Sequence, residues 1–423
     1  MFVLLFILVL MGVPVAFSLL FTSLVFGLVL QGWIGLDLIF QAFWATMNNF
    51  TLTAVPLFIF MSALLEKSGI VDDMYRALRS LVGGVRGSLL IVTLIMGYII
   101  GAMSSVAAAG VVSLALIIYP ILRKAYPKAD DLTIGITVFS GTLPQLIPPS
   151  LNMIVYSSMT GVSVIKLFAG GLVMGTLLTA VAVAYVVLYS FINRDKIPKL
   201  VVKVSARERL NSVVGLIPPL IVILSVLGSI LAGIATPTEA SGIGAFAIFL
   251  YTLLTKRLSK KVLKDSLLST AKLSAMVGWI VSGALAFGSV FSISRGYSIL
   301  TSISLSIPKT AAPVILVLLV FFLGMFLETV SITTIIGPLS DYIIRSLGLD
   351  PLWWGNVFCF TLMTAFLTPP VGMGVYLFKG VVQDVSMSKI FKSSIPFLII
   401  ELILISVFLV FPETILIPLK ILT

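Results

Sequence analysis

Two proline pairs, Leu146–Ser150 (LIPPS) and Leu367–Val371 (LTPPV), lie in stretches otherwise apolar enough to cross a membrane. Proline has no amide proton and clashes with the preceding turn, so each pair interrupts a helix and frees carbonyls and helix ends. Freed carbonyls can coordinate a cation, and freed amides can meet an anion. Glu328 is the most informative acid, because ionisable groups at membrane depth are costly and mark function. It can coordinate a cation, pair with Arg295 or carry a proton; the bland reading is a turn residue open to water. Arg295 follows the glycine-containing GALAFGSVFSISRG, and its guanidinium fork matches a carboxylate bidentately, although an interfacial anchor is an equal rival. Ser150 and Asn152, just past the first pair, can bind a substrate or cap a helix.

The elements that hold these residues are set by composition. The 423 residues are 59% hydrophobic and 10% charged, with a mean hydropathy of +1.20. That balance specifies an all-α polytopic membrane protein, and apolar runs of this length exclude a β-barrel. The first ~30 residues lack a basic leader and read as a retained span rather than a signal peptide. A single cysteine excludes an intrachain disulfide, and the absence of histidine excludes a histidine-bound metal. No P-loop pattern is present, so ATP is not the energy source and no cofactor is expected. With no histidine, no catalytic serine motif and no clustered carboxylates, a membrane-embedded enzyme is disfavoured.

A net charge of +11 raises the question of nucleic acid, but distribution answers it. Of the 27 basic residues, 22 fall in five clusters: Lys67–Arg86, Arg123–Lys128, Arg194–Arg209, Lys256–Lys272 and Lys379–Lys392. The positive-inside rule places them in the cytoplasm, facing lipid headgroups. Spans near 2–30, 38–65, 132–157, 167–192, 212–235, 242–255, 267–291, 353–378 and 394–411 satisfy this, with the N-terminus cytoplasmic and the C-terminus outside. One condition applies. Residues 88–122 have basic loops at both ends and must form a re-entrant hairpin from the cytoplasm, its tip near GAMSSVAAAG. Residues 311–345 form a second hairpin, entering from outside.

The stretch VSVIKLF (Val162–Phe168) follows the first proline pair, and VSMSKIF (Val385–Phe391) follows the second at a similar interval. Each broken span is also preceded by a hairpin. This order predicts an internal duplication, residues 1–200 and 210–423, with the copies inverted across the membrane. Inverted repeats with discontinuous helices at mid-depth are a transporter architecture. A channel is disfavoured by the paired hairpins.

The segments SGTLPQLIPPSLNMIVYSSMTGVSVIKLF, ATPTEASGIGAF, GMFLETVSITTIIGPL and TAFLTPPVGMGVYLF resemble the large membrane subunit of tripartite ATP-independent periplasmic (TRAP) transporters, the DctM-like family. The similarity runs nearly end to end. It implies an elevator-type transporter of the bacterial or archaeal inner membrane, in which a domain of hairpins and broken helices moves against a scaffold. It also implies sodium-coupled uptake of an organic anion, a soluble periplasmic binding protein that delivers it, and a separate small four-helix membrane subunit. The rival is a stand-alone sodium/anion symporter of the related two-hairpin fold. Two departures stand out: MSSVA puts Ser105 and Val106 where Gly-Ser is usual, and Glu328 stands where aspartate is usual. Sodium favours oxygen ligands. One site is expected from Ser104, Ser105, Gly141, Thr142 and Pro148. Its inverted equivalent is expected from Glu328, Thr329, Ser331, Thr364, Thr368 and Pro369, with Arg295, Ser150 and Asn152 on the substrate. Packing or back-bonding is the competing role for the serines. Glu239 is expected to cap a helix, and Glu401 to pair with a scaffold polar group.

Overall fold

The computed structural model of the chain describes residues 1–81, 85–199 and 214–422. Of the third basic cluster, Lys203, Arg207 and Arg209 lie outside the described residues. Every regular element described is helical. Among the described residues, five helices are each long and apolar enough to cross a bilayer: Val164–Ile192, Val214–Leu231, Pro237–Leu254, Lys260–Ile293 and Met387–Val410.

Capping side chains fix where several of them start. Ser163 accepts from the Lys166 amide, and Ser386 accepts from the Lys389 amide. The two matched heptapeptides therefore do the same local job, each supplying a serine N-cap to a long helix. Glu239 closes a capping box with Thr236, as expected.

The Val164–Ile192 helix, 29 residues and about 43 Å long, measures the rest. Near its start Leu167 meets Gly355, about a third of the way along Gly171 and Gly175 meet Leu146 and Ile147, and near its end Ser190 meets Gly87. The first proline break thus sits about a third of the way along, and the base of the first hairpin sits at the far end. That hairpin has legs Ser88–Gly101 and Ala107–Ile117, 14 and 11 residues, each too short to cross the ~30 Å of hydrocarbon. Its legs lie on Asp130–Thr142. A Cβ at Gly97 would come within 2.2 Å of the Ser140 carbonyl oxygen, and one at Gly110 within 2.7 Å of the Gly141 oxygen. The Tyr119 hydroxyl, beyond the second leg, donates to Asp130 at 3.1 Å.

The second hairpin, Ala311–Gly324 and Thr329–Ser346, packs in the same manner on Pro351–Thr364. Gly324 abuts Ala365, and Trp354 Nε1 donates to Ser340 Oγ at 3.0 Å. Its base lies at the other end of the molecule. The Met387–Val410 helix starts with Lys389 on Asp130, beside the first hairpin's base. It ends where Trp353 Nε1 donates to the Phe408 carbonyl at 2.8 Å. The hairpins therefore approach one level from opposite ends.

Contacts between the basic clusters place them together. Lys67 donates to the Asp265 carbonyl and Ser269 at 2.7 Å, Arg257 pairs with Asp73, and Arg86 donates to the Arg194 carbonyl at 3.0 Å. Arg123 pairs with Asp384, holding that carboxyl below its usual range. The described members of all five clusters gather at the end where the first hairpin has its base.

Several expected spans are corrected. The stretch 2–30 is two helices, Phe2–Leu10 and Val15–Gln31, parted where Gly12 takes a positive φ and Pro14 lacks an amide. The stretch 38–65 is Ile34–Met47 followed by Thr51–Lys67, bent by 60°. Counting these as two full crossings put the N-terminus at the basic end. Instead Met1 packs against Ser294, and Phe2 against Phe287 and Phe291, at the opposite end of Lys260–Ile293. That long helix begins inside the fourth basic cluster, seven residues before the expected span. Helices Gly296–Ser306 and Glu413–Leu422 were not expected.

Glycine controls the closest helix approach. A Cβ at Gly135 would lie 2.0 Å from the Ser393 carbonyl oxygen, whereas one at Gly278 meets nothing within 4 Å. Gly135→Val is expected to lower stability by about 1–3 kcal/mol, and Gly278→Ala to be neutral or stabilising by up to about 1 kcal/mol. Thermal unfolding of the purified chain in detergent checks both.

Candidate functional site

Both hairpin tips and both proline breaks meet at one pocket of about 200 Å³. The first tip, Ala102–Val106, is held by the Ser105 amide, which donates to Ser62 Oγ at 3.1 Å. Ser105 Oγ has no partner, although the residue is only 2% exposed. Ser104 Oγ lies 3.4 Å from the Val106 amide and carbonyl. At the first break the Asp130–Thr142 helix passes into a 3-10 turn, Leu143–Gln145, and the chain resumes as Leu151–Thr160. Ser150 Oγ closes the loop by donating to the Gln145 carbonyl at 2.6 Å. The break is thus braced by its own serine.

The second tip turns on Glu328, whose carboxylate caps Thr329–Ser346. It accepts from the Ser331 amide at 3.2 Å, from Thr329 Oγ1 at 3.4 Å and from Ser331 Oγ at 3.5 Å. A carboxylate on a helix N-terminus satisfies free amides and offsets the positive end of the dipole. The Val371 amide donates to the Met325 carbonyl at 3.3 Å, tying tip to break. Thr364 and Thr368 each send a hydroxyl proton back to a carbonyl one turn earlier, at 2.6 Å. Thr142 does likewise with Phe139 at 2.7 Å. A hydroxyl bonded in this way keeps its lone pairs for a cation.

The expected groups are brought together to different degrees. Ser104 and Ser105 sit against the first break, where Gly101 meets Ile147 and Gly110 meets Gly141. Gly141 itself is a packing glycine: its Cβ would lie 2.4 Å from Val111 Cα. Glu328, Thr329 and Ser331 adjoin the second break and, through it, Thr364, Thr368 and Pro369. Ser105, Asn152, Glu328 and Thr329 line the shared pocket. Arg295 does not. It is exposed, with φ at +60°, between Lys260–Ile293 and Gly296–Ser306, and makes no ion pair with Glu328.

Sequence reasoning missed Gln145. Its Nε2 and the Nδ2 of Asn152 are both without partners, the residues are 6% and 2% exposed, and both line the pocket. The signal was present: a glutamine in SGTLPQLIPPS stands two residues before Ile147 in an otherwise apolar stretch. The reading also passed over Asp341, which takes Arg345 at 2.6 Å and the Tyr156 hydroxyl at 3.5 Å. With Arg345 on the Thr160 carbonyl, this links the second hairpin to the far half of the first broken helix. Glu401 gains no polar neighbour. It is fully buried in Met387–Val410 with both carboxylate oxygens unpartnered.

The sequence model of the family described as "Tripartite ATP-independent periplasmic transporter, DctM component" matches residues 2–414. The chain is 30% identical to the sialic acid TRAP transporter large permease protein SiaM of Vibrio cholerae, over 96% of this chain and 95% of that one. It is 31% identical to the C4-dicarboxylate TRAP transporter large permease protein DctM of the same organism, over 94% and 91%. In fold it is similar to the crystal structure of the Alcanivorax borkumensis YdaH transporter, with a TM-score of 0.62 and 14% identity over 93% of this chain and 95% of that one.

The cap on Thr329–Ser346 makes a structural test available. Glu328→Ala is expected to cost about 1 kcal/mol and to speed amide exchange at Ser331, while Glu328→Asp, still able to cap, keeps most of the protection. Hydrogen–deuterium exchange across 325–335 reads both.

Proposed function

The chain belongs to the DctM family of tripartite ATP-independent periplasmic transporters, and from that premise we propose that it takes up a small organic anion in symport with sodium. The carrying observation is the convergence of two hairpin tips and two interrupted helices on one pocket. Four helices begin there, at Ala107, Leu151, Thr329 and Met373. The positive ends at Ala107, Leu151 and Met373, which carry no capping carboxylate, suit an anionic cargo, and no basic side chain is among the described residues lining the pocket. Asn152 and Gln145 supply amide donors that nothing in the protein uses. Ser150 braces them from behind.

Sodium takes the oxygens around the pocket. Ser104, Ser105, Gly141, Thr142 and Pro148 serve one ion, and Glu328, Thr329, Ser331, Thr364, Thr368 and Pro369 serve the other. Each ion offsets the charge of the anion and lowers the cost of burying it. The names of the two relatives, which refer to sialic acid and to C4-dicarboxylates, favour a carboxylate cargo. The tripartite family description favours two partner components, a periplasmic binding protein and a small membrane subunit.

By the positive-inside rule the end with the basic clusters is cytoplasmic. The first hairpin then enters from the inside and the second from the outside. The heptapeptides Val162–Phe168 and Val385–Phe391 then fall on opposite faces, which favours an inverted repeat of 1–200 and 210–423. Met1 falls outside, replacing the expected cytoplasmic N-terminus. The Lys260–Ile293 helix belongs to the scaffold. The pocket touches it at Leu273–Val277, and a second cavity of about 410 Å³ lies between Ala284–Ile293 and Thr334–Leu339. The two levels are roughly 20 Å apart along the helix axis.

Reconstitution in vesicles with both partner proteins tests the reading. Uptake of a candidate carboxylate is expected to require an inward sodium gradient, and equal uptake without sodium would sink the proposal. Asn152→Leu and Gln145→Leu are each expected to cut uptake about tenfold, the worth of a hydrogen bond to a charged group, while leaving the melting temperature unchanged or raised. Glu328→Ala should depress sodium-dependent uptake more than it depresses the amount of folded protein in the membrane.

A further inference from the structure

At the basic end, away from the hairpin pocket, a groove separates the starts of Asp130–Thr142 and Met387–Val410. It holds a cavity of about 330 Å³ lined by Asp131, Ser386, Ser388, Lys389, Lys392 and Ser393. The two helix starts differ in charge. Asp130 and Asp131 occupy the first turn of one, which offsets its dipole. The other, 24 residues long, has no acid in its first turn. Ser386, which lines the cavity, caps it, and its remaining first-turn amides have no carboxylate of their own.

A second observation is independent of the helix end. Ser393 Oγ has no hydrogen-bond partner although Ser393 is only 6% exposed, and the residue lines this same cavity. The backbone fixes it there, because Gly135 packs directly on the Ser393 carbonyl. The charges nearby divide unevenly. Lys389 is committed to Asp130 and, at 3.7 Å, to Asp131. Asp131 is 79% exposed and turned toward that lysine. Lys392 is exposed and makes no ion pair among the described residues.

A buried hydroxyl, a helix N-terminus and an uncommitted ammonium form a donor-rich site for a group that offers only acceptors. We propose that this groove binds a phosphate group, presented by the headgroup of an anionic phospholipid in the leaflet that the basic loops face. A groove whose two lining lysines outnumber its one lining carboxylate, next to a helix start, meets the chemistry of a phosphodiester, whose unesterified oxygens accept from amide, hydroxyl and ammonium together. The site lies in the joint that Lys389, Asp130, Arg123 and Asp384 make between the two broken-helix units. A bound headgroup there bridges the helix starts of both.

The test uses the full chain in phosphatidylcholine nanodiscs titrated with phosphatidylglycerol, with native mass spectrometry counting retained lipid. Wild type is expected to retain phosphatidylglycerol over phosphatidylcholine. Lys392→Gln and Ser393→Ala are each expected to weaken that retention about tenfold, the loss of one hydrogen bond to a charged group, with an unchanged melting temperature in pure phosphatidylcholine. Lys392 is exposed, so its variant keeps the experiment valid if Ser393→Ala fails to fold. Inorganic phosphate that displaces phosphatidylglycerol identifies the phosphate as the recognised group. Retention that is equal in wild type and Lys392→Gln overturns the proposal, as does binding of inorganic phosphate with no preference for phosphatidylglycerol.

Discussion

A helix that stops inside a hydrocarbon layer leaves amides or carbonyls with no water to receive them, and each such group costs several kcal/mol unless protein satisfies it. This chain stops helices in that way at two hairpin tips and two proline breaks. The structure answers by bringing all four to one place, where each covers another. The first tip is pinned to Ser62, the first break is closed by Ser150, and the second break is tied to the Met325 carbonyl. At the pocket itself, Ser105, Gln145 and Asn152 keep buried polar atoms without partners.

The same constraint explains where glycine is found. A hairpin whose legs are too short to cross has to lie along a neighbour for its whole length, and contact that close leaves no room for a Cβ. Gly97, Gly110 and Gly141 line one such seam, and Gly324 serves the other hairpin. In lipid, where apolar side chains gain little from leaving the solvent, packing of this kind supplies much of the association energy. The second hairpin adds a polar tether through Asp341 and Arg345 to the far half of the first broken helix.

Much of this was legible in the sequence because the signals are local or strongly periodic. Proline pairs end helices whatever surrounds them, and the basic loops gather at one end because hydration of their charges is strong. The serine caps recur in both heptapeptides because each long helix needs a start. The first 67 residues misled because hydropathy counts apolar residues without seeing bends, so two interrupted segments looked like two crossings. Arg295 looked like a ligand because a guanidinium suits a carboxylate, but the helix it caps holds it away from the tips. Gln145 was overlooked for the reverse reason. Its type is unremarked in a loop, and only the fold buries its amide without a partner.

The cap on the second tip carries a consequence of its own. Because Glu328 already serves the amide of Ser331 and two hydroxyls, a metal ion that recruits this carboxylate competes with the first turn of Thr329–Ser346 for the same oxygens. Loading and unravelling become opposite sides of one bargain. For any such ion, binding strength would be tempered by the order it removes, and release would return the tip to a finished helix.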